Sequence, residues 1–267
     1  MLVEVNENTD RPVGASLFMA DPSCFGERDG VLDVENVIGG AAPYLYAINS
    51  ETNFTDINTY ANLPSGEYTL IVQDNIGCEW DTLFQITDPE QVTANLGEDQ
   101  VIRLGEESEL FVQTTGNVVS LLWTDNGEAG PIDVDFREIA PLRTTTYVVV
   151  VTNAEGCSGT DNIVVEVEND RRVYIPTAFS PNGDGVNDFF TVFTDIAATE
   201  VTSLAIFDRW GNQVFERNNF LPNIPESGWD GIWRGQNMQP GTYVYSAFIE
   251  FIDGTKINFK GEINIVY

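Results

Sequence analysis

Histidine is absent from the 267-residue sequence. Its absence removes the commonest general base and the commonest transition-metal ligand. Ser-His-Asp, Cys-His and His-zinc chemistry are therefore excluded; Asp/Glu acid-base work and hard-cation binding stay open, but single carboxylates at strand ends read as turn or ion-pair residues, and no catalytic role is expected. Basic residues are scarce: 12 against 42 acidic ones, for a net charge of -30 and a pI near 4.1. Such a surface repels phosphate backbones and anionic lipid headgroups, so neither nucleic acid nor a membrane surface is an expected partner. Cysteine is limited to Cys24, Cys78 and Cys157. No pair has C-x-x-C spacing, which excludes a zinc knuckle or a thioredoxin-like site. One disulfide and one leftover thiol is the arithmetic that an oxidising compartment suggests. No apolar run approaches the roughly 18 residues that span a bilayer, so direct membrane insertion is not expected. The opening MLVEVNENTDRP lacks a basic stretch followed by an apolar one and does not read as a signal peptide. A cytosolic protein and the tail of a longer exported one both remain open on these grounds.

Helix signals are also nearly missing. Hydrophobic residues at 42% and aromatics at 11% supply packed cores, and they recur in short alternating runs. Clear examples are YTLIVQD (68–74), SELFVQT (108–114), TYVVVVTN (146–153), SLAIFDR (203–209) and TYVYSAFIEF (242–251). Gly, Asn, Asp and Pro separate them, as in β-sandwiches. An internal repeat is visible: YTLIVQDNIGC (68–78) and YVVVVTNAEGC (147–157) each run from tyrosine through an apolar strand and a polar turn to Gly-Cys, 79 residues apart. LPSGEY (63–68) and MQPGTY (238–243) echo each other as turns that lead a tyrosine into a strand, where its hydroxyl can cap a Greek-key corner.

The expected fold class is all-β: three tandem immunoglobulin-like β-sandwich domains in an elongated arrangement. A linker or strand remnant covers 1–15, and sandwiches cover 16–91, 92–169 and 170–267. Seven of the twelve basic residues (Arg171, Arg172, Arg209, Arg217, Arg234, Lys256 and Lys260) fall in the last of these. Its surface is less acidic than that of the other two.

Residues 21–78 carry a Cys-Phe-Gly start at Cys24, an Asp-Gly turn (Asp29, Gly30), a Gly-Gly to Pro-Tyr segment (Gly39, Gly40, Pro43, Tyr44) and a Gly-x-Tyr to Gly-Cys tail. This pattern resembles the SprB-type repeat of large gliding adhesins. The resemblance implies a disulfide between Cys24 and Cys78, worth about 4 kcal/mol by the chain-entropy estimate, with Cys157 a small buried hydrophobe. The second domain loosely resembles a PKD-like or other immunoglobulin-like spacer. In the last domain YIPTAFSPNGDGVNDFFTVF (174–193), LAIFDRWGNQVFE (204–216), GWDGIWRGQNMQPGTYVYSAFIEFIDG (228–254) and KGEINIVY (260–267) occur in order. Together they resemble the gliding motility-associated C-terminal domain, the type B sorting domain of the type IX secretion system. That likeness implies export through periplasm and outer membrane to the cell surface. It also implies handling by the type IX machinery and attachment to an outer-membrane barrel protein of the PorP/SprF type. It favours the tail of a longer exported protein over a cytosolic one.

The residues add three candidate sites. The final strand, Gly261, Glu262, Ile263, Asn264, Ile265, Val266 and Tyr267, alternates apolar with polar side chains until Val266. If it lies at a sheet edge, its unpaired backbone groups invite strand addition by a receptor; paired inside a sheet it would touch no partner. SPNGDGVND (180–188) brings Asn182, Asp184 and Asp188 around two glycines. Alternating side-chain oxygens and glycine are what a calcium loop needs, although the twelfth-position glutamate of an EF-hand is missing at Phe193. The same residues also suit an Asx-turn loop that caps its own amides. Trp210, Trp229 and Trp233 suit either a carbohydrate platform or strand packing. Arg209 and Arg234 are placed to stack on them, with Asp208 and Asp230 as ion-pair partners. Three functions compete: the stalk and sorting end of an exported adhesin, the non-catalytic tail of a secreted hydrolase, and a carbohydrate-binding module array.

Overall fold

A computed structural model describes residues 11–267. Residues 1–10 of the expected linker lie outside the described residues, and 12–15 open the first strand. The structure is all-β with one 3-10 turn at Pro225–Ser227. No sheet mixes strands from more than one of three stretches of chain.

The first stretch holds β1 (Pro12–Ala20), β2 (Gly30–Gly39), β3 (Leu45–Ile48), β4 (Thr59–Leu63), β5 (Gly66–Gln73) and β6 (Glu79–Ile86). They form two three-stranded sheets, β1-β2-β4 and β3-β5-β6. The period-two pattern turns Leu32 and Val34, Leu70 and Val72, and Phe84 and Ile86 inward, and these six make a core of their own. Tyr68 stacks on Phe84 at 5.2 Å, and its hydroxyl donates to the Pro64 carbonyl at 2.7 Å, closing the corner before β5.

The second stretch holds β7 (Thr93–Asn95), β8 (Gln100–Arg103), β9 (Ser108–Phe111), β10 (Gln113–Thr115), β11 (Val118–Asp125), β12 (Glu128–Ile132), β13 (Phe136–Ile139), β14 (Thr145–Asn153) and β15 (Ser158–Glu168). Its main sheet runs β12-β11-β14-β15-β8. In β14 Tyr147, Val149 and Val151 alternate inward, meeting Ile163, Val165 and Val167 of β15 and the fully buried Trp123. Arg137 lies 5.1 Å from the Trp123 ring and 5.2 Å from that of Tyr147, and pairs with Asp125 through two hydrogen bonds of 2.7 and 2.8 Å. Tyr147 thus keeps company with a guanidinium, whereas Tyr68 caps a corner.

The third stretch holds β16 (Val173–Tyr174), β17 (Ala178–Phe179), β18 (Phe193–Thr194), β19 (Ala198–Phe207), β20 (Gln213–Phe220), β21 (Ile232–Trp233), β22 (Gln236–Asn237), β23 (Gly241–Phe251) and β24 (Lys256–Ile265). Its sheet runs β17-β24-β23-β19-β20. The irregular segments 180–192 and 221–231 cover one face, tied by reciprocal Phe190–Trp229 backbone hydrogen bonds of 2.8 and 2.9 Å. The buried residues of the second and third stretches form one continuous cluster. At the join Arg171 pairs with Asp253 and lies 5.4 Å from the Phe251 ring.

The cysteine pairing corrects the expectation. Cys24 is bonded to Cys157, with Cα atoms 5.6 Å apart, and Cys78 remains a thiol. The Greek-key order supplies the reason. The loop after β1, which holds Cys24, lies beside the end of β6: Gly26 N–H donates to Asp88 at 3.1 Å and Thr87 N–H to Asp21 at 2.8 Å. The turn after β5, which holds Cys78, lies beside the loop after β2: Asn75 N–H donates to the Ala41 carbonyl at 2.9 Å. These are opposite ends of β2, whose ten residues span about 30 Å. No disulfide bridges Cα atoms more than about 7 Å apart. Cys157 is therefore a cross-link between two sandwiches, and its Sγ sits 3.2 Å from the Ser23 carbonyl oxygen.

Candidate functional site

The C-terminal strand β24 pairs along its whole length with β23, from Lys256 opposite Glu250 to Ile265 opposite Gly241. Alternation sends Ile263 and Ile265 into the core, fully buried. Val266 and Tyr267 pass the end of the strand and are exposed. The outer edge is only partly open. The two-residue parallel strand β17 covers Asn264 and Ile265, and Asn264 N–H and Val266 N–H donate to Thr177 and Phe179 at 3.0 and 3.1 Å. Of the two readings open for Gly261–Tyr267, a free edge and a strand paired inside the sheet, neither holds throughout: the unpaired edge runs from Lys256 to Ile263 among the described residues. By the two-residue period, the amides of Asn258, Lys260 and Glu262 face outward there. Opposite Gly261 stands Tyr245, whose hydroxyl oxygen would lie 2.7 Å from a Cβ at position 261. Glycine lets that ring lie against the strand.

The loop 180–188 turns its oxygens upon itself. Asp184 Oδ1 accepts from Val186 N–H at 2.8 Å and Oδ2 from the Asn182 amide at 3.0 Å. Asp188 accepts from Gly183 N–H at 2.7 Å and Gly185 N–H at 2.8 Å, while Asn182 Oδ1 accepts from Asp184 N–H at 2.9 Å. Each side-chain oxygen of Asn182, Asp184 and Asp188 thus has a donor inside the loop. That arrangement is an Asx-turn loop. No cluster of three His, Cys, Asp or Glu residues suited to a metal occurs among the described residues.

The tryptophans part company. Trp229 is fully buried against Phe179 at 5.4 Å and Tyr243 at 5.2 Å, and its Nε1 donates to the Ile232 carbonyl at 3.1 Å. Trp233 is partly buried with Arg234 at 4.5 Å from its ring, and Trp210 is 78% exposed with Arg209 at 5.3 Å. Trp210, Trp233, Met238 and Tyr243 line an open cleft of about 400 Å³. Tyr267 is pinned beside it, its hydroxyl donating to the Met238 carbonyl at 3.1 Å. With Trp229 in the core, the three tryptophans do not form one platform; only Trp210 and Trp233 line the cleft. The tryptophans Trp210 and Trp233 were the sequence's signal for it, whereas the contributions of Met238 and Tyr243 were not legible, since the walls come from three separate turns.

Asp208 and Asp230 are turn caps, not partners of the arginines. Asp230 accepts from Ile232 N–H at 2.9 Å. Asp208 accepts from Trp210 N–H, Asn212 N–H and the Asn212 amide at 2.9, 2.9 and 2.8 Å. The Asn212 side chain first, then the surrounding backbone N–H groups, holds the Asp208 carboxyl below the ordinary carboxylate range, against the opposing pull of desolvation. A depressed carboxyl adds stability that is present above its unfolded value, near pH 4, and lost as pH falls through the folded one. Asp208→Asn is therefore expected to flatten the acid limb of a melting-temperature profile, from about pH 4 downward. An unchanged slope in the variant would remove this role.

Residues 173–265 match the family model described as the CHU_C Type IX secretion signal domain. The chain thus carries a type IX secretion signal and is exported to the cell surface or the extracellular space. No helix among the described residues is long and apolar enough to cross a membrane. No curated protein matches the chain. Among solved structures, an I-band fragment (I67–I69) of titin is similar at 12% identity over 96% of this chain and 99% of its own, with a TM-score of 0.39. A tetra-tandem repeat from the extending region of a large adhesion protein gives 12%, 94%, 73% and 0.31. A 1.5-MDa bacterial ice-binding adhesin gives 10%, 96%, 99% and 0.32. These likenesses are too weak to carry fold or function.

Proposed function

We propose that this chain is the non-catalytic sorting and stalk region of a cell-surface adhesin. Residues 170–267 form the domain that the type IX machinery reads and that a PorP/SprF-type outer-membrane barrel afterwards holds. Residues 16–91, with the start moved to Pro12 by β1, act as an SprB-type repeat, and 92–169 as an immunoglobulin-like spacer of PKD type. The observation that carries the reading is the family match over 173–265. The open outer edge of β24 from Lys256 to Ile263 supports strand addition as the mode of recognition. Lys256 and Lys260 on that edge discourage unselective pairing, as charged edges do. A secreted hydrolase's tail would share these features and would differ only in the protein to which it is joined.

The test is a fusion of residues 170–267 to a reporter that has a standard export signal, expressed with and without the type IX machinery. Surface display that requires the machinery is the expected outcome. Display in both strains, or in neither, sinks the sorting role. Retention that is lost when the barrel partner is deleted, with export intact, isolates the attachment step.

A further inference from the structure

The thiol of Cys78 occupies a turn whose hydrogen bonds recur at Cys157 and, with Asn212 in the cysteine's place, at Asp208–Asn212. Asp74 N–H donates to the Cys78 carbonyl at 2.9 Å, and Asn153 N–H to the Cys157 carbonyl at 3.0 Å. Gly77 N–H and Gly156 N–H donate to the Asp74 and Asn153 carbonyls at 3.0 and 3.2 Å. Cys78 N–H and Cys157 N–H donate to the side-chain oxygens of Asp74 and Asn153 at 2.8 and 2.9 Å. Both glycines hold a left-handed backbone, φ 83° and 89°. Each turn joins the last two strands of its sandwich, β5 to β6 and β14 to β15. The two cysteines therefore hold the same position in two successive units.

One of those two positions is already bonded. Cys157 takes Cys24, which projects from the loop after the first strand of the preceding unit. This bond at the equivalent place is an observation independent of Cys78, and it specifies the kind of partner the position accepts. Cys78 cannot take Cys24 of its own unit, which lies at the other end of β2. Its turn faces the end of the first sandwich where Pro12 enters: Ala41 N–H donates to Asp74 at 3.3 Å, and the Pro12 ring lies against Gly40.

We propose that Cys78 is the acceptor of a second inter-unit disulfide, from a cysteine in the loop before the second strand of a β-unit placed ahead of this one. Successive units of the exported protein are then linked loop to turn, with Cys24–Cys157 as one link of the series. Bond formation removes two protons and two electrons from the thiol pair. A donor disulfide of the thiol–disulfide oxidoreductase class takes both up and leaves as a dithiol. The proposal rests on the repeated turn and its bonded copy, so it stands or falls separately from the sorting role.

The test places a second copy of residues 11–91 ahead of residue 11 of the full chain. That segment has a separate core of its own. After oxidative refolding, maleimide labelling under denaturing, non-reducing conditions counts the remaining thiols, and peptide mapping without reduction identifies the bonded pairs. The parent chain is expected to label at Cys78 alone. The extended chain is expected to show one thiol, in the added copy, and a peptide pair joining the added Cys24 to the original Cys78. Three labelled thiols overturn the proposal. So does a bond between Cys78 residues of two chains, or one within the added copy. Cys78→Ser at the original position should abolish the new peptide pair while Cys24–Cys157 persists.

Discussion

Trp229→Ala is expected to cost the C-terminal domain about 3–5 kcal/mol, the usual toll for truncating a fully buried large aromatic. The ring is wholly enclosed by Phe179, Phe215 and Tyr243. The substitution also removes the indole N–H that donates to the Ile232 carbonyl. Trp229→Phe should lose less, because it keeps much of the volume. Urea unfolding followed by circular dichroism measures both. A loss under 1 kcal/mol for the alanine variant would contradict the packing described. If the export machine reads the folded domain, the alanine variant should also reach the surface poorly at temperatures where it is largely unfolded.

Cutting the Cys24–Cys157 bond is the second large effect. The cross-link closes 133 residues of sequence, and the chain-entropy estimate for such a loop is about 5 kcal/mol, with native strain and residual unfolded structure lowering it. Because two sandwiches are joined, the effect should appear as lost coupling as well as lost stability. In calorimetry the oxidised chain should melt the first sandwich at a higher temperature than the reduced chain does. Cys24→Ser, Cys157→Ser and the double variant should behave alike, since each removes the same bond. Cys78→Ser should leave the profile of the 267-residue chain unchanged. A Cys78→Ser variant that melts like Cys157→Ser would mean that the pairing is wrong.

Much of the fold was legible because strand periodicity is local. The alternation in β14 and β15 named its own core residues, and the Tyr68 and Tyr243 corners followed from Pro-Gly turns; Tyr243 donates to the Gln239 carbonyl at 3.0 Å, as Tyr68 does to Pro64. The repeat of 79 residues identified two equivalent Gly-Cys turns. What it left out was which end of a sandwich each turn occupies, and that non-local fact decides the disulfide. The C-terminal strand was legible as a strand but not as a partly sealed edge. Its cover, β17, is two residues long and carries no period. The loop at 180–188 had the composition of a cation site, and only the direction of its carboxylates towards Gly183, Gly185 and Val186 N–H shows them already engaged. Asp208 and Asp230 were placed beside arginines by adjacency in sequence, while the tight turns they occupy direct them to backbone amides instead.

The cross-link between the first two sandwiches also has a mechanical meaning. Tension applied at Pro12 reaches Cys24 after a single strand and then crosses the sulfur bridge to Cys157. It returns to the main chain only at the last strand of the second sandwich. Residues 25–156 are outside the load path for as long as the bond is oxidised. At about 3.5 Å per extended residue, roughly 450 Å of chain cannot be drawn out by pulling. Under tension, a chain cross-linked this way yields at its sandwich edges and linkers, and reduction rather than force releases its length.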